Sequence, residues 1–348
     1  MAHKAGIIGY GGMGNWHLEN AEKSVVEYVA VYDIDSERLK VAEEKGLKAY
    51  ATLEEFLADD SFDLVLVATP NNFHHDMVIA ALEAGKNVVC EKPVAMNSTE
   101  LTEMMEAAER TGKVFTVHQN RRWDADFDIV RRAIAEDKLG KLFTIESRVH
   151  GQNGAMYGWR AFKVAGGGMM FDWGVHQIDQ IIQLFGQTVK SVFCTMSMVK
   201  TTEVDDYFKL VMTMENGCTV QIETGTYNLI QFPRWYVCGS KGALQIKTWG
   251  TGADVVSAKK EEFEWTPVII HTAAGPTRTM SPRPKDTLEE SHMDEIYPDW
   301  REFYKNVCDV IDGKCDELLV KPSEALYVLR LMEAAFKSAE TGESGTIS

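Results

Sequence analysis

The glycine-rich run GYGGMG at residues 9–14 most strongly constrains the fold, because it follows the apolar segment Lys4–Ile8 and precedes helix-forming residues. This is G-x-G-x-x-G in a strand-turn-helix context. The pattern requires a tight turn at Gly9, a position without a side chain at Gly11 so that a pyrophosphate can approach, and close helix–strand packing at Gly14. Free N–H groups at the helix start favour phosphate binding. We therefore predict a dinucleotide-binding fold here, with the helix continuing to Lys23.

An acidic residue stands where such a fold recognises the ribose. The predicted strand Tyr28–Tyr32 ends directly before Asp33. A carboxylate about 20 residues beyond the glycines accepts hydrogen bonds from ribose hydroxyls and favours NAD over NADP. The alternative is that Asp33 is only a turn residue of the next helix, although Asp35 and Ser36 are better capping candidates. The sequence thus predicts NAD as the cofactor.

Strand-like and helical segments then alternate. The apolar runs Leu64–Ala68, Asn87–Cys90 and Val114–His118 alternate with helical stretches at Asn72–Glu83 and Ser98–Thr111. This βα alternation predicts a doubly wound parallel sheet of the α/β class. Ligands of such sheets bind beyond the carboxyl ends of the strands.

Polar groups follow each of these three strands. They are Thr69-Pro70-Asn71, Glu91-Lys92-Pro93 and Gln119-Asn120-Arg121. We expect all three to face one crevice, since carboxyl ends of parallel strands share one edge of the sheet. For Lys92, a surface lysine before a turn proline is the alternative.

The pattern changes after Arg122. A helix is predicted around Asp126–Glu136, a strand around Leu142–His150, and an exposed loop at Ala273–Lys285. Four alternating segments are typical of antiparallel strands: Val189–Met198, Tyr207–Met214, Cys218–Tyr227 and Arg234–Cys238. Amphipathic segments at Asp294–Ile311 and Pro322–Ala339 close the chain. We predict a Rossmann domain at residues 1–122 and an α+β domain with an open, mostly antiparallel sheet at residues 123–348.

Composition limits the class of protein. A chain of 348 residues, 45% of them hydrophobic, exceeds what one core usually organises, so two domains are expected. The net charge of −16 without a basic stripe argues against nucleic acids and membranes as partners. No leader and no apolar run of membrane-spanning length is evident, and the six cysteines lack C-x-x-C spacing, which favours reduced thiols in a cytoplasmic protein.

A central helix carries a polar stripe among apolar residues. Asp172 and His176 are four residues apart and Asp179 follows three later, which places them on one helix face. Two interpretations remain open: a site, or a core histidine paired with Asp172. In a site, His176 titrates near neutral pH and serves as a base, with Asp172 fixing its ring. A metal centre is disfavoured, since no further histidine or cysteine ligand clusters with these residues.

The chain resembles the glucose–fructose oxidoreductase/inositol dehydrogenase (Gfo/Idh/MocA) family over nearly its whole length. The resemblance rests on GYGGMG, on Glu91-Lys92-Pro93 and on GGGMMFDWGVHQID at residues 166–179. NRRWD at residues 120–124 and Trp159-Arg160 resemble a branch that contains scyllo-inositol dehydrogenases. The resemblance implies Lys92, Asp172 and His176 as the catalytic trio, and an open sheet that supports a homodimer or homotetramer.

Resemblance and strand-end position together give the candidate ligand contacts. Cofactor binding is assigned to Gly9, Gly11, Gly12, Met13, Gly14, Asp33, Thr69, Asn71, His74, Glu91, Lys92 and Gln119. Substrate binding is assigned to Arg121, Tyr157, Trp159, Asp172, His176 and Asp179. The alternatives are a helix-face charge for Asp179 and core packing for the two aromatic residues.

The function that follows is hydride transfer between NAD and a secondary alcohol of a sugar, inositol, other polyol or glycoside. The same residues would serve a redox-neutral, NAD-retaining glycosidase or lyase that works through a transient 3-keto sugar. A non-catalytic NAD-sensing regulator is a third possibility, although it has little need for Lys92 and His176. No metal is expected.

Overall fold

The computed structural model describes residues 2–154, 156–259, 268–279 and 283–346. Its N-terminal part is an entirely parallel sheet with the strand order β3-β2-β1-β4-β5-β6. The strands are β1 (His3–Ile8), β2 (Val26–Tyr32), β3 (Lys48–Tyr50), β4 (Leu64–Val67), β5 (Asn87–Glu91) and β6 (Phe115–His118). This order is that of a Rossmann fold, and the predicted doubly wound α/β architecture is confirmed.

Helices connect these strands. They are α1 (Gly12–Asn20), α2 (Ser36–Glu44), α3 (Leu53–Leu57), α4 (His74–Glu83) and α5 (Ser98–Thr111). The first ends at Asn20, three residues before the predicted end. The helix expected after Asp33 is α2, and the Asp35 carboxylate caps it by accepting from the Glu37 N–H. Sequence reasoning missed β3 and α3, which are short.

The second part contains a mixed sheet with the order β16-β13-β12-β11-β7-β10-β9-β8. Its strands are β7 (Leu142–His150), β8 (Val189–Ser197), β9 (Tyr207–Met214), β10 (Thr219–Gly225), β11 (Trp235–Gly239), β12 (Gly242–Ile246), β13 (Ala253–Ala258) and β16 (Leu288–Met293). Strands β7 and β10 pair in parallel and the other neighbours are antiparallel. The predicted open, mostly antiparallel sheet is confirmed, and it extends over β12, β13 and β16, which were not predicted.

Helices cover one face of this sheet. They are α6 (Ala125–Ala135), α7 (Val175–Phe185) and α9 (Pro322–Thr341), and α9 packs on β8 and on α7. A further helix, α8 (Glu302–Ile311), lies against the Rossmann sheet. Ile145, Val220 and Val237 are fully buried on the covered face, where cross-strand register aligns them. An exposed hairpin, β14 (Val268–Thr272) with β15 (Gly275–Thr279), replaces part of the loop predicted at Ala273–Lys285, whose residues 280–282 lie outside the described residues.

The polar stripe of the central helix is interrupted by a local change of pitch. Residues Met170–Gly174 form a π-helical turn, and the regular helix α7 begins only at Val175. The prediction of one α-helix through Asp172 was therefore wrong. Because a π turn is wider than an α turn, a spacing of four residues no longer places two side chains directly above one another.

The C-terminal part returns to the Rossmann sheet. Tyr304 on α8 hydrogen-bonds Tyr28 on β2 at 2.8 Å, and Thr116 on β6 donates to the Val320 carbonyl at 2.7 Å. All six cysteines lie within the described residues and are free thiols, as predicted. Within the described ranges, no helix combines the length and apolar character needed to cross a membrane.

Candidate active site

The glycine turn after β1 has the geometry that its sequence predicts. Gly9 has φ of +94°, a region that glycine adopts readily, and a Cβ there would lie 2.8 Å from the Ala68 backbone. A Cβ on Gly14 would lie 2.3 Å from the Gly9 carbonyl oxygen, so α1 packs directly on the turn. No side chain caps the start of α1, which leaves its first N–H groups facing a cavity beside Gly11 and Gly12.

Asp33 follows β2 and is almost fully buried. Its carboxylate accepts the Tyr10 N–H at 2.7 Å and the Asp35 N–H at 2.9 Å, and the Arg38 guanidinium lies 3.4 Å away. Asp35 is the helix cap, so the alternative role considered for Asp33 belongs to its neighbour. Arg38, which sequence reasoning missed, lines the cavity beside Gly11. The sequence feature that could have identified Arg38 is its position near the start of the helix that follows Asp33.

A cavity of about 500 Å³ lies between the carboxyl ends of the parallel strands and the second domain. It brings together eleven of the predicted residues: Gly11, Gly12, Met13, Thr69, Asn71, Glu91, Lys92, Arg121, Trp159, Asp172 and His176. Arg38, Ala68, Pro70, Asn120, Arg160 and Trp173 complete its lining. Residues from both parts of the chain therefore meet in one crevice, at the edge of the sheet where the α/β pattern places ligands.

Lys92 and Asp172 form the central charged pair of this cavity. The Lys92 ammonium donates to the Asp172 carbonyl oxygen at 3.0 Å and lies 3.3 Å from the Asp172 carboxylate. Burial lowers the pKa of Lys92 below its ordinary value, an effect that Asp172 partly offsets. Burial alone would raise the pKa of Asp172, but Lys92 and Arg160 lower it and favour its charged form.

His176 lies in the same cavity without the predicted partner. Within the described part of the chain its Nδ1 has no hydrogen-bond partner, and the Asp172 carboxylate serves Lys92 and Arg160 instead. The predicted pairing of Asp172 with His176 is therefore wrong, because the π-helical turn redirects Asp172. Burial, assisted by the positive charge of Lys92, holds the pKa of His176 well below 6.5. The expectation of titration near neutral pH is corrected accordingly, and the imidazole is neutral.

Asp179 does not reach the cavity. Its two carboxylate oxygens accept from Arg122 Nη2 at 2.6 Å and Arg122 Nε at 2.8 Å, and both side chains are buried. Arg122 also pairs with Glu324 at the start of α9. The expectation that Asp179 shares the site with Asp172 and His176 is corrected by this bidentate pair. Asp179 joins α7 to α9 through Arg122, which is a structural role.

Other predicted residues lie at or behind the walls. Trp159 lines the cavity and carries the Arg160 guanidinium 4.6 Å above its ring, whereas Tyr157 is 71% exposed and does not line it. His74 is buried and links the Thr69 and Pro93 carbonyl oxygens at 2.9 and 2.8 Å, so it supports two strand ends from behind. Gln119 is also buried behind the lining.

Two arginines and a tryptophan define the outer wall. Arg121 stacks over the Trp173 ring at 4.0 Å and donates to Asp124 at 3.0 Å. Trp173 and Arg160 were part of recognised motifs but were not assigned to the site, since a motif position does not show which way a side chain points. Arginine guanidinium groups stacked on aromatic rings keep their edges available for hydrogen bonds to a ligand.

Comparison with known proteins agrees with this geometry. The chain matches the model of the oxidoreductase family with an NAD-binding Rossmann fold over residues 3–119, and the model of the GFO/IDH/MocA C-terminal domain over residues 127–245. An NAD-binding protein from Listeria innocua has a similar solved structure, with 40% sequence identity, a TM-score of 0.87, and coverage of 100% of this chain and 98% of that chain.

Curated relatives include two inositol dehydrogenases. The scyllo-inositol 2-dehydrogenase (NADP(+)) of Bacillus subtilis is 28% identical over 97% of this chain and 94% of its own. The myo-inositol 2-dehydrogenase of Thermotoga maritima is 29% identical over 69% of this chain and 74% of its own. With both domain models matched and the fold shared over the full length, the resemblance is confirmed: the chain belongs to the GFO/IDH/MocA family of oxidoreductases and has that family's NAD-binding Rossmann fold.

Proposed function

We propose that this protein is an NAD-dependent dehydrogenase that oxidises a secondary alcohol of a sugar, inositol, other polyol or glycoside. The observation that carries the proposal is the meeting, in one cavity, of an uncapped helix start, the Lys92 ammonium and the neutral imidazole of His176. These are the groups that an alcohol dehydrogenation needs beside its cofactor: a phosphate site, a cation for the reacting oxygen and a proton acceptor.

The residues present fit NAD. The uncapped N–H groups at the start of α1 suit the pyrophosphate, and Gly11 and Gly12 leave room for its approach. Asp33 suits the adenosine ribose, since its buried carboxylate accepts hydrogen bonds from hydroxyl groups and repels a 2′-phosphate. When bound, the nicotinamide supplies the hydride acceptor. Glu91 and Lys92 end β5 on the opposite side of the glycine turn and suit the nicotinamide half.

Lys92 and His176 have separate roles at the substrate hydroxyl group. The Lys92 ammonium holds the substrate oxygen and stabilises its alkoxide character as hydride leaves. His176 accepts the proton on its imidazole, which is neutral because burial and Lys92 disfavour the imidazolium. Asp172 is a positioning residue that fixes the Lys92 ammonium from both its carbonyl and carboxylate oxygens.

The substrate end of the cavity favours a polyhydroxylated ligand. Trp159 and Trp173 offer aromatic faces, and Arg121 and Arg160 offer guanidinium edges. This combination of apolar faces and directional donors suits a sugar or inositol ring, whose hydroxyls alternate with C–H faces. The relation to the two inositol dehydrogenases supports the same class of substrate.

Absorbance of NADH tests this function. Inositols, hexoses, hexitols and aryl glycosides are incubated with the protein and NAD, and formation of NADH and release of aglycone are both followed. Net NADH from a polyol supports the proposal. Release of aglycone without net NADH would establish the redox-neutral glycosidase instead, and the absence of both reactions from a protein that binds NAD would contradict a catalytic role on this panel.

We further propose a homodimer or homotetramer assembled through the uncovered sheet face. Cross-strand register aligns Phe193, Val211, Gln221, Glu146 and Tyr236 on the side opposite the helices. Phe193 on the edge strand β8 and Tyr236 on the inner strand β11 are 39% and 37% exposed there, so the uncovered face carries exposed aromatic surface. Light scattering on the purified protein measures the mass, and Phe193→Glu with Tyr236→Glu should shift it towards the monomer. A monomeric native protein would contradict the proposal.

A further inference from the structure

A buried carboxylate faces the cavity at the end of β5. The residue is Glu91, which is 5% exposed and lines the cavity beside Lys92. Its Oε1 accepts from His17 Nε2 at 2.7 Å and from His118 Nδ1 at 2.8 Å, and its Oε2 accepts the Lys92 N–H at 3.1 Å. Three donors on one buried carboxylate stabilise its charged form.

The hydrogen bonds continue into the interior in one direction. His17 Nδ1 lies 2.8 Å from the Tyr304 hydroxyl, which lies 2.8 Å from the Tyr28 hydroxyl. Because the carboxylate only accepts, His17 donates from Nε2 and must accept at Nδ1 from Tyr304, which in turn accepts from Tyr28. Every donor in this series of hydrogen bonds therefore points towards Glu91, and such aligned donors reinforce one another.

The protonation states agree with this direction. Burial lowers the pKa of His17 to about 4, so its ring is neutral at physiological pH. Burial alone would raise the pKa of Glu91, but His118 and His17 hold it well below its ordinary value. Within the described residues, these three side chains are the one group with donor atoms close enough to hold a metal ion, yet both imidazoles lie at hydrogen-bond length from the same carboxylate oxygen.

The buried charge of Glu91 lies on the side of the sheet that suits the nicotinamide half of a dinucleotide. Strands β1 and β2 carry the glycine turn and Asp33, which suit the adenosine half of a dinucleotide, and Glu91 lies beyond β4 on the other half of the sheet. The nicotinamide ring carries a positive charge only in its oxidised form. Lys92 lines the cavity beside Glu91, and its ammonium is already engaged by Asp172.

We infer that the Glu91 carboxylate, held by His17 and His118, is the counter-charge of the oxidised nicotinamide and makes the site favour NAD⁺ over NADH. The inference rests on the proposed NAD placement. It makes Glu91 a determinant of cofactor redox preference, and makes His17, His118 and Tyr304 its positioning residues. The attraction is strong here because the groups are shielded from water and salt.

Direct cofactor binding tests this assignment without a substrate. Dissociation constants of NAD⁺ and NADH are measured by calorimetry at pH 8, where histidines of ordinary pKa are neutral. For Glu91→Gln we expect the ratio of the NAD⁺ to the NADH constant to rise roughly tenfold, the size of one partly shielded charge interaction. Glu91→Asp keeps the charge and should keep the ratio within about threefold of the native value. Glu223→Gln removes a buried carboxylate of β10 outside the cavity and should leave the ratio unchanged.

The outcomes separate the two proposals. If neither cofactor form binds the native protein, the NAD placement itself fails. If both bind and Glu91→Gln leaves their ratio unchanged, or Glu91→Asp changes it equally, the counter-charge inference is overturned while the NAD site stands. Should Glu91→Gln not fold, Tyr304→Phe removes one O–H from the donor chain, and a ratio that does not rise in that variant overturns the inference as well.

Discussion

The Lys92 ammonium is held by Asp172 through two oxygens, the main-chain carbonyl at 3.0 Å and the carboxylate at 3.3 Å. The expected role of Asp172 was to orient the ring of His176, whereas in the structure it holds Lys92. This pairing leaves His176 without the expected Asp172 partner, and burial together with the charge of Lys92 disfavours its protonated form. The proton acceptor is therefore kept neutral by its surroundings, and the aspartate acts on the cation that holds the substrate oxygen.

Loss of His176 should strongly reduce turnover and leave cofactor binding intact. We expect His176→Ala to lower kcat by roughly 10²–10⁴-fold, the usual contribution of a positioned proton acceptor. The NAD dissociation constant, measured by calorimetry, should stay near the native value because α7 belongs to the other side of the cavity. His75→Ala, on the exposed side of α4, is the matched control. Near-native kcat in His176→Ala would make the histidine structural.

The pH profile of alcohol oxidation should be broad. The base His176 must be unprotonated, so activity is present above its pKa, which lies well below 6.5, and is lost below it. Lys92 must be protonated, so activity falls as pH rises through its pKa, which lies below 10.5. Values of kcat/KM measured from pH 5 to 10 on the identified substrate test this pH profile. A limb near pH 6.5 that survives in His176→Ala would contradict the assignment.

Cofactor choice should depend on Asp33 and Arg38 together. Asp33→Ser removes the carboxylate that repels a 2′-phosphate and frees Arg38, now 3.4 Å from it, to bind that phosphate. We expect the preference for NAD over NADP to fall by roughly tenfold or more. Adding Arg38→Gln in the same background should remove the gain in NADP affinity. Equal affinity of the native protein for NAD and NADP would contradict the role of Asp33.

Asp179 should matter for stability and not for substrate affinity. Asp179→Asn removes the charge that pairs bidentately with the buried Arg122, which keeps Glu324 and the Leu319 carbonyl oxygen as partners, and breaking such a pair costs about 3–5 kcal/mol in the free energy of unfolding. Urea unfolding measures this loss, and KM should be unchanged. Asp299→Asn, which breaks an exposed pair with Arg301, should cost much less stability than Asp179→Asn. A raised KM with native stability would return Asp179 to the substrate site.

Asp205 should make the protein less stable as pH rises. Its carboxylate accepts the Met170 N–H at the π-helical turn, and burial raises its pKa from 3.8 to about 7. The favourable contribution is therefore complete below pH 3.8 and is lost as pH rises to 7. Because the side chain is only partly buried, we expect Asp205→Asn to gain roughly 1–2 kcal/mol relative to the native protein between pH 4 and 8. Glu203→Gln is the exposed control, and a gap that does not widen would contradict the titration.

The sequence predicted the Rossmann part well because its strands are buried on both faces. Runs such as Leu64–Val67 are apolar without interruption, and the glycine turn leaves few alternatives for the chain. In the second sheet, β12 and β13 follow one another through short turns and were missed, since five or six half-buried residues give little periodic signal.

The sequence predicted which residues lie at the site but not where their side chains point. Lys92 and His176 lie in the cavity as expected, because strand ends and a polar stripe mark positions. The spacing of polar residues along a helix does not show which distant side chains they hydrogen-bond. The pairing of Asp179 with Arg122, 57 residues away, was therefore not foreseeable. The π-helical turn was not foreseeable either, since its extra residue depends on contacts such as that of Asp205 with Met170. The boundary between domains at residue 122 stays a prediction.

The return of α8 to the Rossmann sheet affects how the protein matures during translation. Tyr304 follows His17 by 287 residues, so a ribosome completes the glycine turn long before it adds this contact. At roughly 5–20 residues per second, the nascent N-terminal half waits many seconds with Tyr28 and His17 uncovered. A chain that stops before Tyr304 contains every glycine of the cofactor turn but lacks the last donor that polarises His17 towards Glu91, so full discrimination between the two redox forms of the cofactor is acquired only at the end of synthesis.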